Sequence, residues 1–148
     1  MSRGLVHLYC GDGKGKTTAA LGLGLRACGR GLRVLLVRFL KDERSGELEP
    51  LAGLPGFTIL ETPQKLPFVP KMSLLEKQAY QAYARQMLDA AKRAALGGQC
   101  DLLILDEAAA AAHHGMVAQE EITQLLQTRP SSLEVVLTGR NPPCRSGD

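Results

Sequence analysis

The order of segments in this sequence predicts an α/β fold with a mainly parallel sheet of about five strands flanked by helices. Three observations carry that expectation: short, nearly continuous apolar runs recur along the chain, helix-forming segments separate them, and glycines or prolines punctuate the joins. Strands covered on both faces read as unbroken apolar runs, and strands joined through helices pair in parallel by right-handed crossovers. With 148 residues the chain is expected to be a single domain, 1–148, around one core.

Leu5–Cys10 (LVHLYC) reads as a buried strand that runs into the glycine-rich stretch GDGKGKTTAA. The segment from Lys16 to about Cys28 reads as a helix, stopped by Gly29 and Gly31. Gly22 and Gly24 each cost about 1 kcal/mol against alanine in a helix interior, so both are expected to permit close packing on the sheet. Arg33–Leu40 (RVLLVRFL) is the second strand, and the charged stretch from Lys41 to Gly56 is a surface connection with a short helix around Gly46–Leu51. Phe57–Glu61 (FTILE) is the third strand. Pro63, Pro67 and Pro70 make the following stretch a loop of about ten residues, because proline interrupts both helix and central strand. Ser73 with Glu76 forms a capping box that opens a long helix to about Leu96, with Leu75, Ala79, Ala82, Tyr83, Met87, Ala90 and Ala94 as its apolar positions. Asp101–Asp106 (DLLILD) is the fourth strand, Val117–Thr128 contains a further helix, and Leu133–Leu137 (LEVVL) is the fifth strand.

Composition narrows the function classes. An apolar fraction of 45% and a charged fraction of 22% are ordinary for a globular chain. A net charge of +3 with 4% aromatics argues against a nucleic-acid partner, which asks for clustered basic residues and rings to stack on. Cys10, Cys28, Cys100 and Cys144 are widely spaced without a C-x-x-C pair, so reduced thiols are expected rather than a zinc ribbon or a disulfide framework. No apolar run approaches the roughly 18 to 20 residues needed to span a bilayer, and the first residues lack a signal-peptide pattern. A cytoplasmic protein with no membrane partner is the expectation.

The glycine-rich stretch carries the chemistry. Between an apolar strand and a helix, loop N–H groups converge on one spot and the helix dipole adds about half a positive charge there, which suits an anion. Gly15-Lys16-Thr17 match the end of the phosphate-binding pattern G-x-x-x-x-G-K-[ST], while Cys10 stands where its opening glycine would be. Lys16 would meet the phosphates and Thr17 would offer its hydroxyl to Mg²⁺. The second feature is LLILDE, Leu102–Glu107, an apolar strand ending in two carboxylates. Ligands of open parallel sheets sit at the carboxyl ends of the strands, which puts Asp106 and Glu107 in the same crevice as the glycine loop. Together the two features predict Mg²⁺-nucleotide binding. Arg140, just past the fifth strand, is either a phosphate or substrate clamp or part of a strand-ending turn. Phe68 either lines an apolar pocket or pins the proline loop, and His113-His114 read as solvated rather than as a metal pair.

The residues alone leave kinases, NTPases and other transferases open. The stretch from Gly4 to Asp42, the segment DLLILDE and the run RPSSLEVVLTGRNPP together resemble the P-loop type of corrinoid adenosyltransferase, whose G-[DN]-G-K-G-K-T-T loop also lacks the usual first glycine. The resemblance implies a P-loop NTPase-like, RecA-like fold and a reaction at carbon. Co(I) of a reduced corrinoid attacks C5′ of ATP, and triphosphate leaves. It also implies that ATP lies in the reverse sense to ordinary P-loop kinases, with C5′ exposed to the corrin. Carried over by position, Gly11, Asp12, Gly13, Lys14, Gly15, Lys16, Thr17 and Thr18 hold the triphosphate with Arg140, and Thr17, Asp106 and Glu107 serve Mg²⁺. No side chain is required as a base. ATP, a corrinoid and a flavin-type reductant protein are the implied partners, and a homodimer is the expected assembly. Members of the family usually continue beyond TGRN, so this chain reads as a short member, and of the aromatics some members carry across 62–72 only Phe68 is evident. Two other readings stand beside this one: a nucleoside or nucleotide kinase, and a nucleotide-binding remnant or switch without catalysis.

Overall fold

Alternation along the central strands decides how the layers form. The computed structural model describes residues 4–9, 15–39, 48–60 and 73–139. The elements are β1 (Val6–Tyr9), α1 (Gly15–Gly29), β2 (Val34–Arg38), α2 (Leu48–Ala52), β3 (Phe57–Leu60), α3 (Leu74–Leu96), β4 (Leu102–Asp106), α4 (Ala108–His113), α5 (Gln119–Thr128) and β5 (Glu134–Thr138). All strand pairs are parallel, in the order β1-β5-β4-β2-β3. Val34 and Leu36, Leu102 and Ile104, and Val136 pack with Ala20 and Leu21 of α1 and Leu51 of α2. The intervening Val37, Leu103, Leu105, Val135 and Leu137 pack with α3, α4 and α5 on the opposite face. Each central strand therefore carries apolar residues on both faces along its middle, as a doubly covered parallel sheet requires.

The predicted α/β class and parallel sheet are thus observed, with local differences. Among the described residues the strands begin at Val6, Val34, Phe57, Leu102 and Glu134, one residue later than predicted except for β3, while Cys10, Leu40 and Glu61 at the ends of the predicted runs lie outside the described residues. β5 instead extends one residue further, to Thr138. Helix α4, in AAAAAH, was not anticipated; its alanines have the highest helix propensity but offer no cap or polar face to read. The capping box of α3 is present, with Glu76 N–H donating to Ser73 Oγ and Ser73 N–H donating to Glu76 Oε1, each at 3.1 Å. Its buried seam differs from the expected one. Tyr80, Tyr83, Ala84, Met87, Leu88, Ala91, Ala94 and Ala95 face inward, whereas Leu75, Ala79 and Ala82 are exposed. Alanine is tolerated on either side of a helix, so the alanine-rich stretch did not identify the face that would meet the sheet.

Cys28 and Cys100 are free thiols. Burial, with a contribution from the Asp101 charge, pushes the Cys100 thiol up to about 11, so it stays protonated and behaves as a small packing residue. Among the described residues no helix is long and apolar enough to cross a membrane.

The two helical glycines part company. A Cβ on Gly24 would lie 2.8 Å from Phe57 Cε2 and 3.2 Å from Ile104 Cδ1, so its absence lets α1 approach the sheet, as expected. Gly22 is exposed, and a Cβ added there would have nothing within 4 Å, so close packing does not account for it. Gly24→Val is expected to destabilise the fold by about 1 to 3 kcal/mol through overpacking. Gly22→Ala should be neutral or stabilising by up to about 1 kcal/mol. Urea unfolding of the two variants checks both signs.

At the amino end of the sheet Arg33 ties β2 to β4: its backbone N–H donates to Asp101 Oδ2 at 2.8 Å and its guanidinium reaches both carboxylate oxygens at 3.3 Å. These bonds from Arg33, side chain first, hold the Asp101 carboxyl below its usual range. A depressed carboxyl contributes stability above its unfolded value, near pH 4, and loses it as pH falls through the folded value. Asp101→Asn should therefore be less stable than the parent at pH 7, and the gap should close on acidification; thermal melts between pH 7 and pH 3 read this.

Candidate nucleotide-binding site

Along β2 and β4 the α1 face of the sheet is apolar until its last register row. Continuing the alternations of Val34–Leu36, Leu102–Ile104 and Val136, the next residues on that face are Arg38, Asp106 and Thr138. Arg38 and Asp106 are register partners, and Thr138 is in register with Tyr9 of β1. All three polar side chains are buried: Arg38 is 6% exposed, Asp106 4% and Thr138 fully enclosed.

Their contacts form one connected arrangement. Thr138 Oγ1 donates to Asp106 Oδ1 at 2.9 Å and accepts from the backbone N–H of Glu107 at 2.8 Å. The Arg38 Nε lies 3.8 Å from Asp106 Oδ2, a charge contact longer than a hydrogen bond. Behind them the Tyr83 hydroxyl of α3 donates to the Arg38 carbonyl, and Phe39 N–H donates to the Asp106 carbonyl at 3.1 Å. Glu107 then adopts φ 62°, the only non-glycine with positive φ among the described residues, and α4 starts at the next position. A left-handed conformation in a residue with a Cβ costs on the order of 1 kcal/mol or more, and such strain concentrates at functional turns. One oxygen of Glu107, Oε2, is shielded from solvent.

Helix α1 covers this end of the sheet. It lies against β1, β2, β4 and β5, and because it returns antiparallel to the strands its amino-terminal turn stands over their carboxyl ends. Gly15, Lys16 and Thr17 form that first turn, and Thr18 follows, exposed. The structure thus brings the start of α1 and Asp106 to the same end and face of the sheet, with Glu107 directly following Asp106 in the chain. Gly11, Asp12, Gly13, Lys14 and Arg140, like Cys10 and Phe68, lie outside the described residues, as do the side chains of Gly15, Lys16 and Thr17. His113 and His114 are exposed at the end of α4 with their rings edge to face at 5.2 Å.

Sequence reasoning missed Arg38. It sits inside RVLLVRFL, where a lone arginine at a strand end reads as the edge of the apolar run. Its parity with Val34 and Leu36 was the available signal, since that parity sets it on the α1 face beside the fourth strand's acid.

A parallel sheet in which one strand, β5, separates the glycine-loop strand β1 from the carboxylate strand β4 defines a P-loop NTPase-like protein of the RecA-like arrangement. The model of the family described as "ATP:corrinoid adenosyltransferase BtuR/CobO/CobP" matches residues 2–146, and the chain belongs to that family. The corrinoid adenosyltransferase of Escherichia coli K12 is 33% identical over 147 residues, covering 93% of this chain and 68% of that one. The corrinoid adenosyltransferase of Salmonella typhimurium is 32% identical with the same coverage. The chain therefore spans about two thirds of the length of these relatives. A crystal structure of a DNA replication initiation factor aligns with a TM-score of 0.44 at 16% identity, covering 94% of this chain and 32% of that one.

Tyr83→Phe removes the hydroxyl that supports the Arg38 carbonyl and should cost about 1 to 2 kcal/mol in urea unfolding. Glu107→Gly should leave stability unchanged or raise it by up to about 1 kcal/mol, because the left-handed backbone is relieved while the unfolded chain gains freedom. Thermal melting reads that variant.

Proposed function

We propose that this chain is an ATP:corrinoid adenosyltransferase that moves the 5′-deoxyadenosyl group of ATP to Co(I) of a corrinoid and releases triphosphate, working as a single P-loop nucleotide-binding domain. The observation that carries the reading is the family match across 2–146, and it is supported by a fold in which α1 starts at Gly15 and β4 ends at Asp106.

Residues Gly11 to Thr18 cradle the triphosphate through loop and first-turn N–H groups and the helix dipole, with Lys16 balancing charge and Arg140 clamping from the end of β5. The donor set suits Mg²⁺: the Thr17 hydroxyl and the Asp106 and Glu107 carboxylates are hard oxygen donors beside the phosphates, and these residues would hold the ion. Bound there, Mg²⁺ would neutralise charge on the leaving triphosphate. In the transfer, the electron pair of Co(I) forms the Co–C5′ bond as the C5′–O bond breaks, and its electrons leave on the triphosphate oxygen. Since the nucleophile arrives already reduced, no side chain need abstract a proton. The protein positions C5′, stabilises the developing charge and excludes water.

Co(I) requires a reductant, for which a flavin-type protein is the proposed partner, in the cytoplasm. A homodimer is also proposed; its support is that β1 is an edge strand among the described residues and exposes Val6 and Leu8, with Leu5 exposed just before it.

Incubation with ATP and reduced cobalamin should give adenosylcobalamin and triphosphate in equal amounts. ADP formed with a nucleoside acceptor would establish a kinase instead, and nucleotide binding with neither product would leave a binding remnant. Thr17→Ala should weaken Mg²⁺-ATP binding roughly tenfold or more; an unchanged dissociation constant would remove the loop from the phosphate site.

A further inference from the structure

Arg38 is an unusual residue for its place. β2 is otherwise aliphatic, and a buried ion pair such as Arg38–Asp106 is often no more stabilising than apolar residues of the same volume. Stability alone therefore gives little reason for a guanidinium at this position. Its setting supplies another. Arg38 shares a register row with Asp106, on the face that α1 covers, and Asp106 is followed directly by Glu107. Thr138 bonds one oxygen of Asp106, while the other faces the guanidinium at 3.8 Å. Arg38 thus acts on the Asp106 carboxylate through its charge, one residue from Glu107.

We propose that Arg38 is a positioning residue that sets the charge of the carboxylate pair, so that the site takes a divalent cation together with nucleotide phosphates rather than alone. This rests on the nucleotide-site reading above. With both carboxylates ionised, Asp106 and Glu107 contribute two negative charges and Arg38 returns one positive. Against the pair without Arg38, these three side chains hold a bare cation more weakly and repel an incoming triphosphate less. In the low-dielectric setting of this buried row, such a charge is felt over several ångströms with little screening.

The signs are opposite for the two ligands, which a purely structural role would not produce. In Arg38→Met, the dissociation constant of a fluorescent ATP analogue measured in EDTA should rise roughly five- to tenfold, while that of Mn²⁺ alone, read by electron paramagnetic resonance, should fall by a similar factor. Arg38→Lys should stay near the parent in both. Arg38→Gln, which removes the positive charge but keeps hydrogen-bonding capacity, should move both constants in the same directions as Arg38→Met. It also keeps the proposal testable if Arg38→Met does not fold. Weakening of both ligands together, or movement of neither beyond about twofold, in whichever of these two variants folds overturns the proposal while leaving the site reading intact. A parent protein that binds no ATP analogue even with Mg²⁺ overturns both.

Discussion

The carboxylate of Asp106, buried at the end of β4, is the constraint on which this end of the molecule depends. Taking an ionised carboxylate out of water costs several kcal/mol, and the cost is offset only when charge and hydrogen-bond partners surround it. Here the partners come from both neighbouring strands, Arg38 of β2 on one side and Thr138 of β5 on the other. Removing one partner of such a group typically costs about 3 to 5 kcal/mol, whereas replacing the whole set by apolar residues can be neutral. The row therefore fixes relative geometry more than it adds net stability. Thr138 extends that control to the backbone of Glu107, and the left-handed turn there redirects the chain into α4 immediately after the two acids.

The rest of the sheet makes that row possible. Period-two side-chain direction sends one half of each central strand to α1 and α2 and the other half to α3, α4 and α5. The larger cluster, built on α3 with its capping box and its Tyr80–Leu88–Ala95 seam, anchors the sheet from the side opposite α1. The smaller cluster under α1 has to bring a helix start close to the strand ends, and the missing side chain at Gly24 permits that approach over Phe57 and Ile104. The tyrosine hydroxyl of Tyr83 links the two faces, since it comes from the α3 side to the main chain of Arg38, whose side chain belongs to the α1 side.

Much of the fold was legible because each central strand holds three or more consecutive apolar residues, and such runs separated by helices have few other ways to pack. The Ser73–Glu76 box marked the start of α3 because both partners are local in sequence. What was not legible depended on contacts between distant segments. The inward face of α3 stayed ambiguous in a stretch where alanines occupy both sides, and α4 passed unnoticed in AAAAAH for want of a pattern. In the candidate site, Asp106 and Glu107 were readable as acids at a strand end, whereas Arg38 and the bridging hydroxyl of Thr138 acquire meaning only through register.

By itself the sequence determined the α/β class, the order and kind of nearly every element, the Gly15-Lys16-Thr17 helix start and the strand-terminal carboxylates, because these rest on local propensity, periodicity and short-range motifs. Only the tertiary structure decided that β5 lies between β1 and β4, and that β2 flanks β4 in a register matching Arg38 to Asp106. Strand order and register are set by which faces must be buried together across the whole sheet, a global requirement that no single segment encodes.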